Sequence, residues 1–222
     1  MRTVFLIAFG MASVIELLAH LLNLPDVRLI SKPSLLLLLT AWYVVTARHE
    51  NQPISKMVLA ALIFSWGGDV LLMGDSDLYF MLGLGSFLLA HVFYIFVFRQ
   101  FCNEDQTNSL QGLKRIRFAF PIVLFGTGLM IILYPTLGNL AVPVLLYAGV
   151  LTLMVLNALF RFGRTTSSSF AYVFGGGILF MISDSVLAIN KFLEPVNHAG
   201  IWIMLTYIVA QFLIVKGLLK HD

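Results

Sequence analysis

Eight apolar runs of helix length, separated by short polar turns, leave this chain few ways to fold. They fall at about 3–22, 32–47, 57–73, 78–98, 117–134, 142–160, 170–190 and 200–219. A helix that crosses a bilayer needs about 20 predominantly apolar residues, with a range of about 17–25. In hydrocarbon every backbone N–H and C=O must be paired within the segment, and an α-helix does this. The sequence therefore predicts an all-α polytopic membrane protein with eight transmembrane helices, built as one integral membrane domain over 1–222. Composition agrees, with 59% of residues hydrophobic and 11% charged, against about 25% charged in soluble domains. The opening run follows Met1–Arg2 as a signal peptide would. It continues to about Leu22, however, holds Glu16 and His20, and lacks a small-x-small cleavage site, so it reads as the first span.

The connections carry turn formers: Asn23, Pro25 and Asp26, then Asn51 and Pro53, Gly74–Asp77, Pro135–Gly138 and Glu194–Asn197. Only 99–116 is longer, with Asn103, Glu104, Asp105, Asn108 and Gly112. Pro33 at the first turn of the second run reads as a helix start. Lys and Arg counts set orientation. With a cytoplasmic N-terminus, 11 of the 14 basic residues fall on the cytoplasmic side, and Arg28, Lys32 and Lys191 fall opposite. The expectation is a bacterial plasma (inner) membrane protein with both termini cytoplasmic. The basic stretch 112–117 would anchor near anionic headgroups. Basic residues sit singly at helix ends, which does not suggest nucleic acid. The single Cys102 excludes an internal disulfide and a cysteine metal cluster.

The two halves look related. Pro33 pairs with Pro143, Asp69 with Asp184, and Ala90–His91 with Ala210–Gln211. The sequence suggests two parallel four-helix repeats, 1–98 and 117–222, about an axis along the membrane normal. Such symmetry would put the two aspartates on opposite walls of one central cavity.

Asp69 lies in Phe64–Met73 (FSWGGDVLLM) and Asp184 in Phe180–Ile189 (FMISDSVLAI). A carboxylate at the centre of a membrane helix costs roughly 2.5–3.5 kcal/mol on insertion scales. Counting from the outer helix ends, both lie about 6–9 Å deep at about 1.5 Å per residue, and Glu16 falls in the same layer. Burial disfavours a carboxylate's charge, and a second carboxylate nearby disfavours it further. Such a pair holds one proton between them, so one member can donate while the other stays anionic. The alternative is a helix–helix hydrogen bond or a buried ion pair with Lys32. Ser65, four residues before Asp69, can orient it, while Phe180 and Leu187 would keep Asp184 dry.

Further polar residues fit a cavity lining. Lys32 at the start of the second helix either snorkels to water, or binds a lipid phosphate or orients an aspartate. Glu16 and His20 share a helix face, too few ligands for a metal site without a third, and read as lining. His91 with Tyr94, and Tyr207 with Gln211, are proton shuttles or substrate contacts, or make interhelical hydrogen bonds. Gly67–Gly68 and Gly175–Gly177 read as close helix packing.

With these motifs in view, the chain resembles the lysoplasmalogenase (YhhN-like) family of integral membrane proteins. The resemblance rests on Lys32–Pro33, on the SxxGDxxL pattern of Ser65, Gly68, Asp69 and Leu72, and on Gly83, Phe87, His91 and Tyr94. It continues through Gly176, Phe180, Ser183, Asp184, Leu187 and Ala188, and through Tyr207 and Gln211. It implies hydrolysis of the vinyl-ether bond of lysoplasmalogen, a lysophospholipid drawn from the surrounding membrane lipids. The products would be a fatty aldehyde and glycerophosphoethanolamine or glycerophosphocholine. Asp69 and Asp184 would be catalytic, with Lys32, Ser65, His91, Tyr94, Ser183, Tyr207, Gln211, Glu16 and His20 binding or supporting. A remote similarity to alkaline-ceramidase-type membrane hydrolases is not matched by their His-rich zinc site. A vinyl ether is cleaved by protonating its terminal alkene carbon, and water then adds to the oxocarbenium ion. Paired carboxylates manage a similar cation in glycosidases, so no metal, nucleotide or electron carrier is required. The competing readings are a proton-coupled transporter of a small lipid or metabolite and a non-catalytic lipid-binding protein.

Overall fold

The computed structural model describes residues 1–103 and 107–221, so Glu104 and Asp105 of the longest connection lie outside the described residues. Among the described residues there are eight α-helices: α1 (Arg2–Leu21), α2 (Pro25–His49), α3 (Lys56–Leu71), α4 (Asp77–Gln100), α5 (Gly112–Leu133), α6 (Ala141–Leu159), α7 (Ser167–Phe192) and α8 (Ala199–Leu218). Two short 3₁₀ turns, Tyr134–Thr136 and Gly138–Leu140, join α5 to α6. Seven of the helices are long and apolar enough to cross a membrane. The exception is α3, whose 16 residues span about 24 Å against a hydrocarbon core of about 30 Å. The protein is an all-α polytopic membrane protein.

Apolar side chains cover both the inside and the outside of the bundle. Val4, Ile7, Met11 and Val14 of α1 and Phe118, Phe120, Leu124 and Ile131 of α5 are exposed, as lipid-facing positions require. Leu35, Leu39, Leu62, Val97, Phe98, Met154, Phe180 and Ile214 fill the interior. The closest pairings are α7 with α8, α3 with α4 and α1 with α2, and α4 also packs on α6. Glycine permits two of these. The Phe87 ring lies over Gly68, and a Cβ on Gly176 would stand 2.8 Å from the Ala210 carbonyl oxygen of α8. Small residues at helix contacts let backbones approach without a hydrophobic driving force.

Two helix starts differ from the sequence reading: α5 opens at Gly112 rather than near Arg117, so the basic stretch 112–117 forms its first turns and is not connection, and α2 shifts further. The second helix opens at Pro25, not near Lys32, so Pro33 sits inside it. Polar Asp26 and Arg28 interrupt the apolar run that marked the span. Yet Pro25 at N1 fits a helix start, and Asp26 in the first turn complements the helix dipole. The consequence is functional: Arg28 and Lys32 become i, i+4 neighbours on one helix face.

At the opposite end of the bundle, Arg161 is fully buried just beyond α6. Its Nη2 donates to Ser169 Oγ at 2.7 Å and its Nη1 to the Phe98 carbonyl at 3.5 Å. Ser169 Oγ in turn donates to the Gly217 carbonyl at 2.6 Å. The last turns of α4 and α8 are thereby tied to the start of α7.

Candidate active site

The end of α3 and the middle of α7 bring their acids to one cavity of about 490 Å³. Asp69 lies in the last turn of α3, two residues from its end, because that helix stops at Leu71. Asp184 lies eight residues before the end of α7. Measured from helix ends the two therefore differ in depth, contrary to the equal depths expected from the sequence. The shortness of α3 and the extra length of α7 account for the difference. Both nevertheless line the same cavity, together with His20, Arg28, Lys32, Ser183, Tyr207, Asp75 and Lys191.

Each aspartate is held by a phenol. Tyr207 donates its hydroxyl to Asp69 Oδ2 at 2.7 Å, and Tyr147 donates to Asp184 Oδ2 at 2.5 Å. Lys32 Nζ stands 4.0 Å from Asp69 Oδ1, the limit of an ion pair. Among the described residues no cation pairs with Asp184. A file of side chains runs inward behind Asp69. Gln211 Nε2 lies 3.5 Å from the Tyr207 hydroxyl, and Tyr94 donates to Gln211 Oε1 at 2.6 Å. Gln211 thus fixes Tyr207 from behind, and Tyr94 fixes Gln211.

The remaining expected site residues divide. Ser183 lines the cavity and donates to the Ile203 carbonyl at 3.0 Å, holding α7 to α8. His20 lines it too, with its Nε2 3.3 Å from Glu16 Oε1. Glu16, expected as lining, is instead fully buried against α2. It accepts from Ser31 Oγ at 2.5 Å and faces Arg28 Nε at 3.9 Å. The longer α2 supplies both partners. Ser65 does not orient Asp69: it is fully buried and its hydroxyl makes no hydrogen bond. His91 is likewise fully buried, with neither ring nitrogen bonded. It packs edge-on against Phe180 at 4.7 Å and tilted on Tyr147 at 5.2 Å. It therefore walls the site through rings and does not enter the cavity. Among the described residues no three His, Cys, Asp or Glu side chains gather as a metal-ligand set.

Comparison with known proteins matches the chain to one family, whose sequence profile, described as the YhhN family, covers residues 27–218. The chain belongs to the YhhN family. Curated relatives include the lysoplasmalogenase TMEM86B of Homo sapiens, 28% identical over 166 residues, which are 75% of this chain and 65% of that protein. The lysoplasmalogenase TMEM86A of Homo sapiens is 29% identical, over 73% of this chain and 65% of the relative. The lysoplasmalogenase of Mycobacterium bovis is 28% identical, over 73% of this chain and 60% of the relative. The chain thus spans a little under two thirds of the length of the relatives it matches. No solved structure matches it.

Two residues of the candidate site in this YhhN-family chain escaped the sequence reading. Tyr147 shows there only as one aromatic in an apolar run, and a phenol packs as readily as it hydrogen-bonds. The available signal was its hydroxyl, which must find a partner in hydrocarbon just as that of Tyr207 must. Arg28 counted only toward orientation, since its place on the Lys32 face depends on where α2 begins.

Proposed function

We propose that this protein hydrolyses the vinyl-ether bond of a lysoplasmalogen, releasing a fatty aldehyde and glycerophosphoethanolamine or glycerophosphocholine. The observation that carries the reading is a pair of aspartates on one cavity wall system, each bonded to a phenol, beneath a rim of cations. Kinship to proteins named lysoplasmalogenases supports the same substrate class. The chemistry needs one proton delivered to carbon and one carboxylate to accept a proton from water. General acid–base groups positioned in this way contribute about 10²–10⁴-fold each, and electrostatic stabilisation of the cation adds to that. Arg28, Lys32 and His20 would receive the phosphate, with Asp75 across the cavity facing the positive end of a zwitterionic headgroup. Tyr207 and Tyr147 hold the two carboxylates in place, and Gln211 and Tyr94 hold Tyr207. The protein would lie in a bacterial plasma membrane with both termini on the cytoplasmic side.

The test is aldehyde release from lysoplasmalogen by the purified protein in detergent. Asp69→Asn and Asp184→Asn are each expected to lower the rate by at least about 10²-fold while the protein still elutes as a folded species. Near-normal turnover in either variant overturns the paired-acid mechanism. Binding of lysoplasmalogen by the wild-type protein without any aldehyde would point instead to a transporter.

A further inference from the structure

A second, apolar groove abuts the polar cavity. It runs between α4, α5, α6 and α7 and is lined by Leu84, Leu129, Leu133, Ala148 and Leu151 among others. Along α6 it extends from Val144 to Thr152, about 12 Å at the helical rise. Three residues, Phe80, Asp184 and Leu187, line both spaces. Tyr147, which donates to Asp184, faces the groove, whereas Asp69 and Lys32 face only the polar cavity.

The two spaces therefore have complementary chemistry and one shared acid. The polar cavity carries the cations that suit a phosphate. The groove offers only hydrocarbon contact beyond Asp184, Tyr147, Thr152 and Ser185, and the last two hydroxyls are already spent on the carbonyls of Ala148 and Met181. A molecule with a charged head and a single apolar tail would meet both at once, the first part of its tail along the groove, and its head-to-tail junction then falls at Asp184.

We propose, building on the vinyl-ether reading above, that the groove holds the hydrocarbon chain, so that Asp184 protonates the alkenyl carbon and Asp69 serves the water and the glycerol oxygen. The Asp184 proton forms a C–H bond with the π electrons at the carbon remote from oxygen, leaving an oxocarbenium ion. Water adds to its carbon and gives a proton to Asp69, producing a hemiacetal. The bond between that carbon and the glycerol oxygen then breaks. Asp69 returns its proton to the glycerol oxygen, and the hemiacetal hydroxyl proton passes to Asp184. One water is consumed, and both acids end in their starting states.

Two saturated lysophosphatidylcholine analogues with chains of about ten carbons, matched to the groove's length of about 12 Å, test the placement without any turnover. One carries a diazirine at the second chain carbon and the other at the chain end. The first is expected to label Asp184 and the second α5 and α6 around Leu133 and Ala148. Labelling of Asp69 by the first, or of α1 and α2 by the second, overturns the proposal. Ala148→Phe, which fills the groove, should remove chain-end labelling, whereas Leu145→Phe on the exposed face of α6 should not. Ala148→Phe should also lower hydrolysis of a hexadecenyl substrate by about tenfold while a butenyl substrate loses less than about twofold, as expected when buried methylenes lose their cavity. An equal loss on both substrates overturns the groove assignment. Absence of aldehyde from either substrate with wild-type protein, with labelling intact, overturns the vinyl-ether chemistry and leaves the groove standing.

Discussion

Asp69 and Asp184 are each anchored by a single phenol hydroxyl, and those two bonds set how well either acid keeps its aim. A hydrogen bond to a charged group is worth about 1.5–3 kcal/mol, so Tyr207→Phe and Tyr147→Phe should each slow aldehyde release by roughly 10–100-fold. Tyr94→Phe, three hydrogen bonds away from Asp69, should cost no more than about threefold on the same scale. Equal effects at all three positions would mean that the tyrosines act through packing alone. The aspartates were legible in the sequence because a carboxylate inside an apolar run has nowhere to hide. Tyr147 was not, since an aromatic in the same setting looks like core. Ser65 misled for the opposite reason: helical spacing puts it near Asp69 on paper, but its hydroxyl is not turned to that carboxylate.

Helix boundaries carried most of the information that the apolar pattern could not. The pattern located all eight helices, yet it began the second too late, because polar residues in a first helical turn look like loop. That misplacement hid the Arg28–Lys32 face. Helix ends also need their carbonyls satisfied, and Arg161 does this for α4 directly and for α8 through Ser169. Burial lowers its pKa to about 10, so it stays charged at neutral pH with helix C-termini as its counter-charge. Arg161→Ala removes these bonds and leaves a void, and should cost about 2–4 kcal/mol, read as a lower Tm in detergent. Specific activity of the folded fraction should stay close to wild type, because Arg161 lies far from the cavity lining. A loss of rate without a loss of Tm would contradict this role. The tight crossing at Gly176 behaves similarly. Gly176→Val would press on α8 backbone, which cannot step aside as a side chain can, and should lower Tm as well.

At the scale of the whole molecule, charge asymmetry makes a claim that labelling can test. In a protein whose only cysteine, Cys102, is changed to serine, Asp75→Cys in the α3–α4 turn should react with a membrane-impermeant maleimide on intact cells. Leu113→Cys, exposed at the start of α5, should react only after lysis. The reverse pattern would invert the topology and put the cavity mouth in the cytoplasm. Neither the sequence pattern nor the count of basic residues disclosed how far α3 falls short of its neighbours. Its end at Leu71 leaves a notch, and the turn that follows lends Gly74, Asp75 and Ser76 to the cavity wall. Reactants of opposite solubility would then use separate doors. Water would descend the notch to Asp69, and the lipid would slip in sideways along the oily slot. The aldehyde would retreat into the bilayer and the phosphodiester would wash out above, so neither product need pass the other on its way out.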